Sequence, residues 1–233
     1  MHEKRIAADI AYPLKRKVRG KFTVVPRPGP HPKNFCIPLG IIVRDILGYA
    51  DTLREAKKII KSGKLLVDGK VRKDHKYPVG IFDVVEISGT GEFFRVVSGE
   101  KNLKLIKIPD KEKNVKLCRI DNKTMVKGGK IQLNLNDGKN ILVDGGDFKT
   151  GDSLLIELPK IKIKKHLKRD KGSIVMIIKG QNRGKIGKIK EIEKVYGPNP
   201  NKVTVEIDNR TVSIPEKFVF VIGEKEPEIK VSE

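Results

Sequence analysis

Tryptophan is absent from this 233-residue chain, aromatic residues make up only 5% of it, and cysteine occurs twice, as Cys36 and Cys118. Scarce aromatics exclude a binding mode built on many stacking platforms and leave charge, backbone and shape as the means of recognition. Two cysteines without Cys-x-x-Cys spacing exclude a disulfide framework and a cysteine zinc site, so both are expected to be small buried apolar residues. No run approaches the roughly twenty apolar residues of a membrane span, and the amino terminus has charge without the apolar stretch of a secretory leader. A soluble, intracellular protein is expected. Acid is the other shortage: 29 Asp and Glu face 50 Lys and Arg, a formal net charge of +21.

The excess is uneven. Residues 1–76 carry 19 cations and 7 anions, residues 77–160 carry 14 and 12, and residues 161–233 carry 17 and 10. Two basic ends flank a nearly neutral middle. A field of that sign concentrates polyanions, and nucleic acid is the commonest one a soluble protein meets. A membrane surface is not expected as partner, because no helix with a broad leucine or aromatic face accompanies the basic runs.

The most informative stretch runs from Lys179 to Ile189, Lys-Gly-Gln-Asn-Arg-Gly-Lys-Ile-Gly-Lys-Ile. Glycine tolerates positive φ and has no Cβ, so such a loop turns sharply and brings its N–H groups against an anion. Lys179, Arg183, Lys185 and Lys188 supply the charge.

Upstream, residues 1–35 hold many cations and little periodic apolar pattern, and Pro26-Arg27-Pro28-Gly29-Pro30-His31-Pro32 suits neither helix nor central strand. An extended basic arm, poorly ordered when free, is expected there. From Pro38 the pattern turns helical: Leu39, Ile42, Val43, Ile46 and Leu47 share one face, and Gly48 is the stop. A second helix follows, opened by the capping-box pair Thr52 and Glu55 and ended by Gly63. On its polar side Arg54, Lys57, Lys58 and Lys61 fall at i, i+3, i+4 and i+7, and like charges at that spacing repel. Their clustering calls for an anionic partner. Asp68-Gly69 between Leu65-Leu66-Val67 and Lys70-Val71-Arg72 is a two-residue hairpin turn, and Ile81–Ile87 adds a strand.

Beyond Gly89 the helical period disappears. Short β runs at 103–108, 117–120, 131–135, 141–143 and 153–158 are punctuated by Gly and Asp turns, which predicts a central all-β domain whose balanced charge suits packing and spacing more than binding. Lys127 and Lys130 beside Gly128-Gly129 are read as an exposed hairpin tip. The run Lys160–Lys164 alternates, placing Ile161 and Ile163 on one face and lysines on the other. Residues 173–222 again read as short strands with an Asp208-Asn209 turn, a count that suits a small barrel.

Catalysis finds no foothold. His2, His31, His75 and His166 are scattered in basic or Pro-rich surroundings, no nucleophile, base and orienting group can be assembled, and the carboxylate pairs Asp144 with Asp147 and Asp110 with Glu112 sit in turns. Neither a metal nor another cofactor, nor a small-molecule substrate, is expected.

Residues 36–88 resemble the helix-helix-hairpin RNA-binding domain named for the fourth bacterial small-subunit ribosomal protein, with Val67-Asp68-Gly69-Lys70-Val71-Arg72 and the basic second helix where that family places its RNA face. Residues 171–195, with Gly172–Gly180 running into Arg183–Ile189, look like a KOW motif. Their order, with Arg27–Pro32 and Ile41–Ala50, is similar to the archaeal and eukaryotic S-four-e (S4e) family of small-subunit ribosomal proteins over nearly the whole chain. The resemblance implies an α+β multidomain protein: the basic arm at 1–35, the RNA-binding module at 36–88, a central β domain at 89–165 and an SH3-like KOW barrel at 166–233. It also implies a non-catalytic constituent of the small ribosomal subunit in the cytoplasm, partnered by ribosomal RNA and neighbouring ribosomal proteins. Carried over by matched position, the RNA contacts would be Arg44, Arg54, Lys57, Lys58, Lys61, Lys70, Arg72 and Lys73, then Lys179, Asn182, Arg183 and Lys185, with Lys188 beside them. The chain lacks the very basic leader of some relatives and the long basic tail of eukaryotic ones, which favours an archaeal source. Gly80-Ile81-Phe82-Asp83 replaces a more usual Gly-Asp step, so that turn is expected to be rebuilt. The rival reading is a KOW-type transcription elongation or RNA-processing factor.

Overall fold

The computed structural model describes residues 2–14, 16, 21–208 and 210–231. The described residues divide into two compact units, one drawn from 2–97 and 101–116, the other from 98–100 and 117–231. Most of the regular structure is β, with few helices.

In the first unit the amino-terminal segment is folded rather than a free arm. His2–Lys4 pairs antiparallel with Phe22–Val24, and Ala8, Ala11, Tyr12 and Val24 are buried. The segment is tied to a part of the chain some ninety residues later, where the Leu103 N–H donates to the Ala11 carbonyl at 3.0 Å and Leu103 is itself buried. Lys17 and Arg19 lie outside the described residues. Cys36–Pro38 then pairs with Pro78–Gly80, and Pro38 leads into Leu39–Ile41. The helix does not stay regular. Ile42–Ile46 widens into π geometry, with the Leu47 N–H donating to the Ile42 carbonyl, before Gly48 at φ 68° ends it. The second helix, Leu53–Lys61, has the expected capping box.

A five-stranded sheet follows, in the order Lys70–Val71, Leu65–Val67, Val84–Ile87, Glu92–Ser98, Leu103–Lys107. The last two strands belong to segments that sequence reading places in the central domain. Asp68 and Gly69 both take positive φ, 52° and 72°, the twist a two-residue hairpin turn requires. In the Gly80–Asp83 turn Phe82 is buried at φ 65° and its N–H donates to the Val96 carbonyl at 2.7 Å.

Gly80 has a packing reason to be glycine. A Cβ there would overlap the His31 imidazole, which is buried against it. Gly80→Ala should therefore evict His31 and destabilise the unit by about 1–3 kcal/mol, the cost of overpacking a well-packed site, with a lower thermal midpoint by circular dichroism. An unchanged midpoint would show that His31 is not needed where it sits.

The second unit holds two sheets. One runs Asn140–Val143, Ile131–Leu135, Val115–Met125, Ser153–Glu157, Lys162–Leu167, its long strand entering from the first unit. The expected alternation over Lys160–Lys164 is broken. Ile161 takes φ 54° in a turn, its N–H donating to the Glu157 carbonyl, and the strand starts only at Lys162 with a bulge opposite Leu155 and Ile156. The other sheet runs Arg210–Pro215, Lys202–Ile207, Ile186–Glu193, Ile174–Ile177, Val219–Gly223. It is an antiparallel five-stranded sheet whose two end strands are not hydrogen-bonded neighbours, a coarser result than the expected SH3-like barrel. Asp208 at φ 45° follows the strand Lys202–Ile207, while Asn209 of the expected Asp-Asn turn lies outside the described residues.

Both cysteines are buried, as expected of small apolar residues. Burial first, and then the negative charge of Asp83, pushes the Cys36 thiol up to about 12.

Candidate nucleic-acid interface

The helix Leu53–Lys61 presents its cations because its other side is spent on packing. Ala56 and Ile60 are buried and Leu53 and Ile59 half-buried, which turns Arg54, Lys58 and Lys61 to solvent and leaves Lys57 half-buried. Glu55 does not neutralise them. Its carboxylate accepts from the Thr52 N–H at 3.3 Å and the Asp51 N–H at 3.1 Å, while its own N–H donates to Thr52 Oγ1. The Thr52 hydroxyl first, and then those two N–H groups, hold this carboxyl below its ordinary range. The only acid of the helix is thus committed to the cap, and Arg54, Lys57, Lys58 and Lys61 have no ion pair among the described residues.

The hairpin places Lys70 and Lys73 in solvent. Arg72 is half-buried, its guanidinium 4.3 Å from the centre of the Tyr77 ring, so one of its faces is already occupied. Arg44 is likewise engaged, with Nε 3.1 Å and Nη2 2.7 Å from Asp45 Oδ2.

Beneath the hairpin turn lies a buried ionic network that no local pattern signals. Lys116 Nζ donates to Asp68 Oδ2 at 2.6 Å and to Asp83 Oδ1 at 2.5 Å, and the lysine is 1% exposed. Asp68 Oδ1 also accepts from the Val84 N–H at 3.2 Å. Asp83 accepts from the Gly80 N–H at 2.9 Å, and His31 Nε2 lies 3.0 Å from both of its oxygens. Burial alone would raise the Asp83 carboxyl, but the charges of His31 and Lys116 outweigh it and hold the group well below the usual carboxylate range. Functionally, Lys116 fixes the Asp68 turn from which Lys70 and Arg72 project. An alternating β run around Leu117 signals a strand, not a lysine pointing inward.

In the second unit the glycine-rich loop closes through the Gly184 N–H donating to the Ile177 carbonyl at 2.7 Å and the Arg183 N–H to the Gly180 carbonyl at 3.3 Å. Gly180 and Gly184 take φ 102° and 81°. A Cβ on Gly184 would lie 2.7 Å from the Gly99 carbonyl carbon, so close backbone approach also requires glycine there. The loop cations do not share one role. Arg183 is half-buried and donates through Nε to Ser98 Oγ at 3.0 Å. Lys179 lies over the Phe218 ring at 5.4 Å, and Lys185 sits 3.5 Å from Asp208. Lys188 is exposed on the strand Ile186–Glu193, and half-buried Asn182 lines a shallow cavity with Lys185 and Arg210. The expected hairpin tip at Lys127 and Lys130 is exposed, with Lys130 paired to Asp144 at 3.2 Å.

The histidines have structural neighbours. His31 belongs to the buried network, His166 lies 2.8 Å from Asp152, and His75 3.5 Å from Asp74. Burial first, and then the charge of Lys57, lowers the His75 pKa. Among the described residues no helix is long and apolar enough to cross a membrane, and no cluster of His, Cys, Asp and Glu is arranged to hold a metal.

Comparison with known proteins places these surfaces in context. Family models match at residues 1–34 (RS4NT domain), 41–85 (S4 domain), 90–163 (ribosomal family S4e) and 171–208 (KOW motif). The small ribosomal subunit protein eS4 of Archaeoglobus fulgidus is 46% identical over 97% of this chain and 94% of its own length, and that of Methanocaldococcus jannaschii 47% over 99% and 97%. The crystal structure of the 30S ribosomal protein S4e from Thermoplasma acidophilum superposes with a TM-score of 0.72 at 33% identity, over 82% of this chain and 97% of that one.

Proposed function

The chain belongs to the S4e family of ribosomal proteins, and from that premise we propose that it is a structural constituent of the small ribosomal subunit that binds ribosomal RNA without catalysing a reaction. One observation carries the reading: Arg54, Lys57, Lys58 and Lys61 share one helix, have no ion pair among the described residues, and stand beside a helix acid committed to its own cap. Unpaired cations gathered on one surface gain most from a partner that brings phosphates and releases condensed counterions. An A-form duplex hides its bases in a deep narrow groove, so such a surface reads backbone shape and junction geometry.

In this reading residues 36–88 act as an S4-like module with Arg54, Lys57, Lys58, Lys61, Lys70 and Lys73 on phosphates, while Arg44 and Arg72 shape the surface from their internal partners. Residues 166–233 act as a KOW-type, SH3-like barrel contributing Lys179, Asn182, Lys185 and Lys188, with Arg183 bracing the loop. The β strands between them are spacers, and neighbouring ribosomal proteins and the cytoplasmic ribosome complete the setting.

Sucrose-gradient fractionation of a lysate containing the tagged full chain tests this. The protein is expected to co-migrate with small subunits and to stay with them after a moderate salt wash. Recovery with RNA polymerase alone, as a transcription elongation factor would show, would overturn it.

A further inference from the structure

The first unit contains a cavity of about 300 Å³ whose lining includes His2, Phe22, Arg44, Lys57, His75 and Lys76, and no carboxylate. That volume is at the lower end of small-ligand pockets, which span about 300–1,000 Å³. Five of these six side chains are cations or become cations on protonation. Arg44, Lys57, His75 and Lys76 are half-buried, and a partly desolvated concavity that holds the two lysines without a carboxylate in its lining favours the entry of an anion. Two of these groups already have a carboxylate beside them outside the cavity lining: Asp45 pairs with Arg44 and Arg5, and Asp74 with Arg27 and His75. Lys57 and Lys76 have no ion pair among the described residues.

The sixth residue gives the anion a shape. Phe22 is 49% exposed in a protein with few aromatics, and the His2 ring meets it edge-on with centroids 4.4 Å apart. A half-exposed aromatic in the lining of a basic cavity suits a ligand that carries a flat ring and a phosphate together. Unpaired RNA bases are held in that way, stacked on aromatic side chains with the backbone gripped by cations.

We infer that this cavity receives one unstacked nucleotide of the bound RNA, its base against Phe22 and His2 and its phosphate among Arg44, Lys57, His75 and Lys76. The inference rests on the proposed RNA-binding function and adds to it a recognition site for a single-stranded or bulged position, where the helix surface alone reads only a duplex backbone.

Binding of the full chain to a small-subunit ribosomal RNA transcript tests it, using Phe22→Leu, which keeps an apolar side chain at a half-exposed position, and Phe22→Tyr, which keeps the ring. Phe22→Leu is expected to weaken binding about 5- to 150-fold, the range for losing one stacked base. The slope of affinity against salt should not change, since no cation is lost, and Phe22→Tyr should bind as the wild type does. Ultraviolet crosslinking should join the peptide containing Phe22 to one nucleotide, and that adduct should vanish in Phe22→Leu. Equal affinity of Phe22→Leu and wild type, or a crosslink that survives the substitution at another peptide, would overturn the site while leaving RNA binding intact. Failure of the wild-type chain to bind the transcript would instead overturn the function on which it rests.

Discussion

Lys116→Met should destabilise the first unit by about 3–5 kcal/mol, because it strands Asp68 and Asp83 as buried charges without their shared cation. Chemical denaturation followed by circular dichroism measures the loss. The triple variant Lys116→Met, Asp68→Asn, Asp83→Asn removes the charges together and should regain most of it, since an ion network replaced as a whole costs far less than one left half-made. Should the single variant fail to fold, the recovery of the triple variant carries the same information. A cost below about 1 kcal/mol in the single variant would mean that the network does not hold the turn.

Acid gives the same network a pH signature. Asp83 has a depressed carboxyl in the folded chain and an ordinary one, about 3.9, when unfolded. A depressed carboxyl contributes stability that is complete above the unfolded value and is lost as pH falls toward the folded one. The wild-type contribution of this group should therefore be intact from neutral pH to about 4 and decline only below that. In Lys116→Met the cation that helps to depress Asp83 is gone, so the folded value moves toward the unfolded one and the loss of stability on acidification should be smaller.

Reversing three charges on the second helix, Arg54→Glu, Lys57→Glu and Lys61→Glu, should lower affinity for small-subunit ribosomal RNA by about a hundredfold or more near physiological salt. It should also flatten the salt dependence: each phosphate contact contributes about 0.7 to 0.9 to the log–log slope, so losing three removes roughly two to three. Folding should survive, because Arg54 and Lys61 are exposed and the apolar side of the helix is untouched. A matched control reverses Lys107, Lys113 and Lys130, which already face Glu92, Asp110 and Asp144. That variant has the same net charge but should lose less, because its cations are neutralised within the chain. Equal losses would assign binding to the overall field, and an unchanged slope in the helix variant would remove this helix from the interface.

The parts of this surface legible in the chain are those set by neighbours in sequence. Thr52 and Glu55 stand three residues apart and cap the helix they announce. The cations at 54, 57, 58 and 61 repeat with the helical period, and Asp68-Gly69 adopts the positive φ pair that its residue types suggest. Each of these depends on contacts within a turn or two, where residue type and spacing already determine the geometry.

The roles of His31, Lys116 and Arg183 were not legible, and the distances along the chain explain why. His31 meets Asp83 across 52 residues, Lys116 meets Asp68 across 48, and Arg183 meets Ser98 across 85. A histidine in a proline run and a lysine in a basic chain look solvated until a remote carboxylate makes burial affordable. The amino-terminal segment, too, is held by a remote partner, the Leu103 N–H that donates to the Ala11 carbonyl. Family, basic character and the cationic helix thus follow from local residue order. Which cations face solvent, which are turned inward to hold a turn or a loop, and which gather around a cavity was decided only by tertiary packing, because desolvation and ion pairing depend on neighbours that chain order does not bring together.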